Sequence, residues 1–200
     1  MSRLTLIISA LAVGLVIAVA GRFYLTMGPT ETPVSEAAKP VIGGPFTLVN
    51  QDGKPVTEAD FKGKLMLIFF GYTFCPDVCP TNLSTVSDAL DILGDDAKQV
   101  VPIFVSIDPE RDTPKAMKEY IAHFHPSMVG LTGTPEQVAA AAKAYRVYFA
   151  KVQEKGADPD DYLMDHSAIT YLMGRDGQFL VHFGHGIEPA VMAKRIREFL

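Results

Sequence analysis

The hydrophobic and polar positions divide the chain into three stretches. An apolar run without a charged residue extends from Leu4 to Ala20, behind a lone Arg3. Its 17 residues fall a little short of the ~20 that span a bilayer, but Phe23, Tyr24 and Leu25 beyond Arg22 supply an interfacial belt while the arginine snorkels. From Met27 to about Pro40 the chain runs through Pro, Thr, Glu, Ala and Gly with no periodic apolar face, which is the composition of a tether. From Val41 onward, continuous apolar runs alternate with stretches of helical period, the pattern of an α/β domain.

Within that domain Phe46–Val49 is a short strand and Asn50–Gly53 is turn chemistry. Lys64–Phe70 is a continuous apolar run of the kind found in central parallel strands. A helix follows, with Leu83, Val86, Leu90 and Leu93 on one face, and Val100–Ile107 is the next central strand. Thr113-Pro114 and Thr134-Pro135 each spell a hydroxyl cap followed by proline at the first helical position, and Gln137 completes a capping box on the second. Met128–Leu131 and Val147–Val152 are short strands. Ala168–Met173 and Phe179–Phe183 flank the hairpin signal Gly174-Arg175-Asp176-Gly177, and a closing helix runs from about Pro189 to Phe199. The expectation is a mixed central sheet with an antiparallel edge, flanked by helices. It occupies residues 41–200, after an anchor at 1–26 and a linker at 27–40.

The first segment has a second reading, a cleaved signal peptide ending at Ala18-Val19-Ala20, but the apolar run exceeds the usual core of such peptides. Either reading sends the domain out of the cytoplasm. With neither a transit-peptide composition nor a lipobox cysteine, the expected place is the bacterial inner membrane, single-pass, with the domain in the periplasm. Arg3, Arg22 and Lys39 and the acidic Glu31 and Glu36 precede residue 41. The domain therefore keeps 15 basic against 21 acidic residues, a net charge of −6. That balance excludes nucleic acid and anionic lipid head groups as partners.

The chemistry lies in the two cysteines. Cys75 and Cys79 stand in Tyr72-Thr73-Phe74-Cys75-Pro76-Asp77-Val78-Cys79-Pro80, directly behind the first central strand. A disulfide across so short a loop constrains almost nothing in the unfolded chain, so the pair points to metal or redox chemistry. The prolines suggest an exposed turn, with Cys79 as the cap of the following helix and Pro80 at its first position. Helix-start amides there favour thiolate, the form that binds soft metals.

Two thiolates under-coordinate most metals, which turns attention to the five histidines. His123 and His125 end a solvated helix, where histidine suits the dipole without a ligand role, and His182 and His185 end a hairpin strand. His166, in Asp165-His166-Ser167 before the strand at Ala168, is on a loop able to reach the cysteine end of the sheet. The residue pattern alone leaves its ligand role open.

The stretch Phe70–Pro80, the run Asp108-Pro109-Glu110-Arg111-Asp112-Thr113-Pro114, and Asp165-His166-Ser167 with Tyr171-Leu172 together resemble the Sco/SenC family of copper-binding proteins needed for cytochrome c oxidase assembly. The resemblance covers about residues 41 to 200 in order. It implies a thioredoxin-like fold in which Cys75, Cys79 and His166 hold copper as Cu(I) and Cu(II), and a metallochaperone serving the CuA centre of cytochrome c oxidase subunit II. Other periplasmic copper chaperones or thioredoxin-like reductases are further expected partners, and the membrane is met through the N-terminal helix. The rival function is a thiol-disulfide oxidoreductase with Cys75 and Cys79 as its redox pair, acting on the CuA-site cysteines; a redox or copper sensor is a third. His166, and three residues between the cysteines where thioredoxins have two, favour the chaperone. Structural zinc is disfavoured with three good ligands in view. The run Asp108–Pro114 reads first as a capped strand-to-helix turn, and Asp77, Asp165 and the acidic stretch Asp158–Asp161 as solvated loops.

Overall fold

The two longest apolar runs of the domain become the centre of its fold. The structure, a computed structural model, describes residues 3–26, 41–153, 156, 158 and 161–200. A first unit, Met1–Pro40, holds helix α1 (Arg3–Thr26). The second, Val41–Leu200, holds in chain order strands β1 (Thr47–Asn50), β2 (Pro55–Thr57) and β3 (Leu65–Gly71), helix α2 (Val78–Leu93), β4 (Val100–Ser106), α3 (Pro114–Ile121), β5 (Val129–Thr132) and α4 (Pro135–Ala144). After these come β6 (Phe149–Val152), β7 (Leu163–His166), β8 (Ile169–Met173), β9 (Phe179–Gly184) and α5 (Pro189–Arg197).

Seven strands form one sheet in the order β2-β1-β5-β4-β3-β8-β9. β3 and β4 run parallel, from Leu65 opposite Val100 to Gly71 opposite Ser106, with α2 as their crossover. β8 pairs antiparallel with the other side of β3, β9 antiparallel with β8, and α5 follows. This βαβ unit joined to a ββα unit is the thioredoxin-like arrangement. β5 adds parallel to β4, and β1 and β2 add antiparallel beyond it. All seven residues of β3 are buried, which is why the run carries no polar alternation. At ~1.5–3 kcal/mol for each large apolar side chain, the strand is a main source of the domain's stability. The hydroxyl caps expected at Thr113 and Thr134 are present: Thr113 accepts from the Ala116 amide and Thr134 from that of Gln137.

Two expectations change. The segment Val147–Val152 does not join the main sheet; as β6 it pairs with β7, register Phe149 opposite His166 to Val152 opposite Leu163, in a separate two-stranded sheet. Its residues are half-buried at one end and exposed at the other, where a central strand would be buried on both faces. His166, expected on a loop, is the last residue of β7. The tether at 27–40 and Asp160 of the acidic stretch lie outside the described residues. Within α1, side chains are described for residues 13–24, and among the described residues no helix is long and apolar enough to cross a membrane.

Candidate metal centre

The strands β3 and β4 end side by side, and the chain leaving β3 must turn before α2. Cys75 is on that turn, its amide donating to the Tyr72 carbonyl at 3.3 Å. The helix starts earlier than the prolines suggest: Asp77 is its cap, Val78 its first residue, and Cys79 and Pro80 its second and third. Proline is tolerated throughout the first turn because those amides have no intrahelical partner; the clash that shifts a helix start arises only where residue i−4 is already helical, and Pro76 is not. Cys79 is therefore not the cap, and it is not exposed either. Its side chain is fully buried, whereas Cys75 is half-buried.

Being inside the first turn gives Cys79 a free amide, and that amide donates to Cys75 Sγ at 3.3 Å. The hydrogen bond from the Cys79 side chain, with further bonds from His166 and from the Asp77 and Cys79 amides, lowers the Cys75 pKa from about 9.0 to about 3 against the opposing effect of burial. Donating to Cys75, and burial, push Cys79 the other way. The free pair thus carries one thiolate and one thiol.

His166 comes from the opposite side. Its Nε2 lies 3.6 Å from Cys79 Sγ, and its Nδ1 lies 3.2 Å from the Ser167 carbonyl. A carbonyl can only accept, so Nδ1 carries a proton and Nε2 is the ring nitrogen that faces the sulfurs, the one a metal ion would take. The ring is wedged edge-on between Phe69 and Tyr72, each centroid 6.0 Å away, which fixes its plane. The donor atoms of Cys75, Cys79 and His166 all lie within 4.8 Å of one another, and they are the only such group among the described residues. Cys75 and His166 line a concavity of about 230 Å³ together with Tyr72, Pro76 and Met164, while Cys79 is buried and takes no part in its lining. Two soft sulfurs and one imidazole match a soft or borderline transition-metal ion, and an open side of this kind leaves room for transfer. None of the other four histidines joins the group.

Gly71, the last residue of β3, makes room for the buried thiol. A Cβ there would sit 2.7 Å from Cys79 Sγ and 2.9 Å from the Phe104 ring. No sequence signal distinguished this glycine within its motif. Nor did one mark Asp112, which is fully buried and accepts from Thr73 Oγ1 and Ser106 Oγ at 2.6 Å each and from the Thr73 amide at 3.2 Å. Burial raises its pKa, and the three donors oppose that.

The model of the SCO1/SenC family matches residues 34–200. The chain belongs to the SCO1/SenC family. Among solved SCO1/SenC structures, that of Bradyrhizobium japonicum ScoI with copper bound is 50% identical and superposes with a TM-score of 0.73, covering 80% of this chain and 99% of the other. Protein SCO1 homolog 1, mitochondrial, of Arabidopsis thaliana is 42% identical over 168 residues, 82% of this chain but 49% of the plant protein, so the chain spans about half the length of that relative. The SCO2-like protein of Rickettsia felis is also 42% identical, over 80% of this chain and 75% of its own. The expectations drawn from the three sequence motifs, family and fold, are borne out together.

Proposed function

We propose that this chain is a copper-binding protein of cytochrome c oxidase assembly. It takes up copper through Cys75, Cys79 and His166 and passes it to the CuA centre of oxidase subunit II. The observation that carries this reading is the convergence of two sulfurs and one imidazole nitrogen, all within 4.8 Å of one another, beside an open concavity that Cys75 and His166 line. Copper in this reading is cargo. Two thiolates suit Cu(I), the added imidazole extends the site to Cu(II), and three ligands hold an ion less securely than a closed four-ligand cage. The likeness to a ScoI solved with copper bound supports the choice of metal. The run Leu4–Ala20 supports an anchor in the bacterial inner membrane with the domain in the periplasm.

The test is metal content. The protein purified from copper-rich medium should carry one copper per chain. Cys75→Ala or Cys79→Ala should lose it while keeping the far-UV circular dichroism of the parent. Zinc in place of copper, or retention of copper by both cysteine variants, would reject the reading.

A second reading has its own observation: Cys75 is a half-exposed thiolate and Cys79 a buried thiol beside it. This is the division between attacking and resolving cysteines. In a thiol-disulfide exchange the Cys75 thiolate would attack a partner disulfide, releasing one partner thiolate. Cys79 would then displace the second, leaving the partner reduced and Cys75–Cys79 oxidised. His166→Ala separates the two, since exchange does not need the imidazole and Cu(II) binding does.

A further inference from the structure

The two halves of the site reach it by unrelated routes. The cysteines hang from β3 and α2, continuous with the seven-stranded sheet. His166 ends a hairpin whose strands pair only with each other among the described residues. The ladder fixes β8, which starts three residues after His166 and pairs with β3, and contacts beyond the ladder fix the hairpin itself.

The turn after β4, residues 108–112, touches both. The Arg111 guanidinium lies 4.6 Å from the centroid of Phe74, the neighbour of Cys75, and 3.6 Å from that of Tyr162, which leads into β7. Its Nη1 donates to the Tyr162 carbonyl at 3.0 Å. Its Nε is held by the buried Asp108 carboxylate at 2.5 Å, and the other Asp108 oxygen accepts the Tyr162 hydroxyl at 2.8 Å. Asp112 fixes Thr73 on the cysteine side, as described above. Each ligand-bearing arm is therefore pinned to one turn by charged hydrogen bonds, and Arg111 touches both arms, in addition to the packing of His166 on Phe69 and Tyr72. An ammonium could not make these contacts at once, because the bond to the carbonyl, the bond to the carboxylate and the two ring contacts need a planar fork.

We propose that Arg111, held by Asp108, is a positioning residue that sets the separation between His166 and the dithiol, and thereby the preference of the site for Cu(II) over Cu(I). This rests on the copper reading above. Cu(I) is satisfied by the two sulfurs, which Arg111 does not need to bring together. Cu(II) draws on the imidazole, whose place depends on the hairpin being fastened.

The experiment measures Cu(I) affinity by competition with a chromophoric chelator, and Cu(II) affinity together with the thiolate-to-copper charge-transfer band, in the full chain. The variants are Arg111→Leu, Arg111→Lys and Tyr162→Phe, with the thermal midpoint of the metal-free protein alongside. Arg111→Leu should weaken Cu(II) by about tenfold or more and shift the band, with Cu(I) kept within about threefold. Arg111→Lys should restore little of the loss. Tyr162→Phe keeps the ring, folds without a cavity, and should move Cu(II) in the same direction by a smaller factor. Equal losses of Cu(I) and Cu(II) that track the thermal midpoint would reduce Arg111 to a structural role and overturn the proposal. So would unchanged Cu(II) binding in both the Arg111→Leu and Tyr162→Phe variants. Failure of the unmodified protein to bind copper would instead overturn the copper reading, and the proposal with it.

Discussion

The cysteine half and the histidine half of the site are built to different standards of burial. Cys79 is fully buried, in a helix whose inward residues Leu83, Val86 and Leu90 are core and whose Asn82 donates to the buried Thr170 of β8 at 2.9 Å. On the histidine side the strand alternates, with Leu163 and Asp165 exposed and Met164 and His166 half-buried, and Tyr148 beside it is 61% exposed. One half is positioned by the hydrophobic core and inherits its rigidity. The other is positioned by rings and hydrogen bonds at a sheet it does not belong to. The two sulfurs are therefore the permanent part of the site and the imidazole the adjustable part, a division that suits the copper carrier proposed above.

If that contrast holds, the largest effect should come from removing the adjustable ligand. His166→Ala is expected to weaken Cu(II) by about a hundredfold and Cu(I) by less than about tenfold, with little loss of stability because the ring is half-buried. Parallel titrations of the two oxidation states check it. Equal losses would mean that both halves are equally fixed, and the contrast would break.

The matching change on the cysteine side is Gly71→Ala. Its added methyl lies 2.7 Å from Cys79 Sγ, and the short cysteine side chain can escape only by rotating its sulfur out of the site. Overpacking of this kind costs about 1–3 kcal/mol. The displaced sulfur should weaken Cu(I) and Cu(II) alike, by about tenfold, which is the opposite signature to that of His166→Ala. Chemical denaturation and the same two titrations read it. A Gly71→Ala protein with unaltered stability and binding would show that the thiol pocket yields, and that the core does not hold the sulfur.

Legibility in the sequence follows the same division. Core-built elements announce themselves: the runs Lys64–Phe70 and Val100–Ile107 become β3 and β4 within a residue, and the Leu83, Val86, Leu90 and Leu93 stripe is buried as its period requires. The sulfur pair is legible because two cysteines close in sequence are brought close in space by the chain itself. The histidine half is not, since Leu163-Met164-Asp165-His166 is too short and too polar to read as a strand, and its partner β6 is only four residues long and half exposed. The residue pattern brings His166 forward among the five histidines and leaves its ligand role open, and only the family motifs supply that role. Arg111 and Asp112 read as parts of a capped strand-to-helix turn, which their local sequence does encode. Their other partners are Thr73, 39 residues away, and Tyr162, 51 residues away, and no local pattern reports contacts at that range. The start of α2 departs from expectation for a different reason: proline is tolerated through the first turn, so the helix begins at Val78, two residues before Pro80.

The smallest expected effect is a near absence of pH dependence, and it tests the division inside the cysteine half itself. In the metal-free protein Cys75 is lowered to about 3, mainly by the hydrogen bond from Cys79, while Cys79 is raised by making that bond and by burial. Lowering a thiol below its ordinary value near 9.0 adds stability to the folded state that is complete above that ordinary value. The gain shrinks as pH falls toward 3, where the folded thiolate takes its proton. Between pH 5 and 8 Cys75 is already a thiolate, so its reaction with iodoacetamide should change by less than about twofold. An ordinary thiol would speed up about tenfold per pH unit over that range. The absolute rate should be modest, since a low-pKa thiolate is a weaker nucleophile. Cys79, protonated and without exposed surface, should stay unmodified on the same timescale, as peptide mapping by mass spectrometry would show. A Cys75 rate that fell about tenfold per unit below pH 8, or equal labelling of both cysteines, would mean that the buried amide and thiol do not hold the charge. The permanent half of the site would then owe its chemistry to bound metal, with no preformed thiolate in the fold.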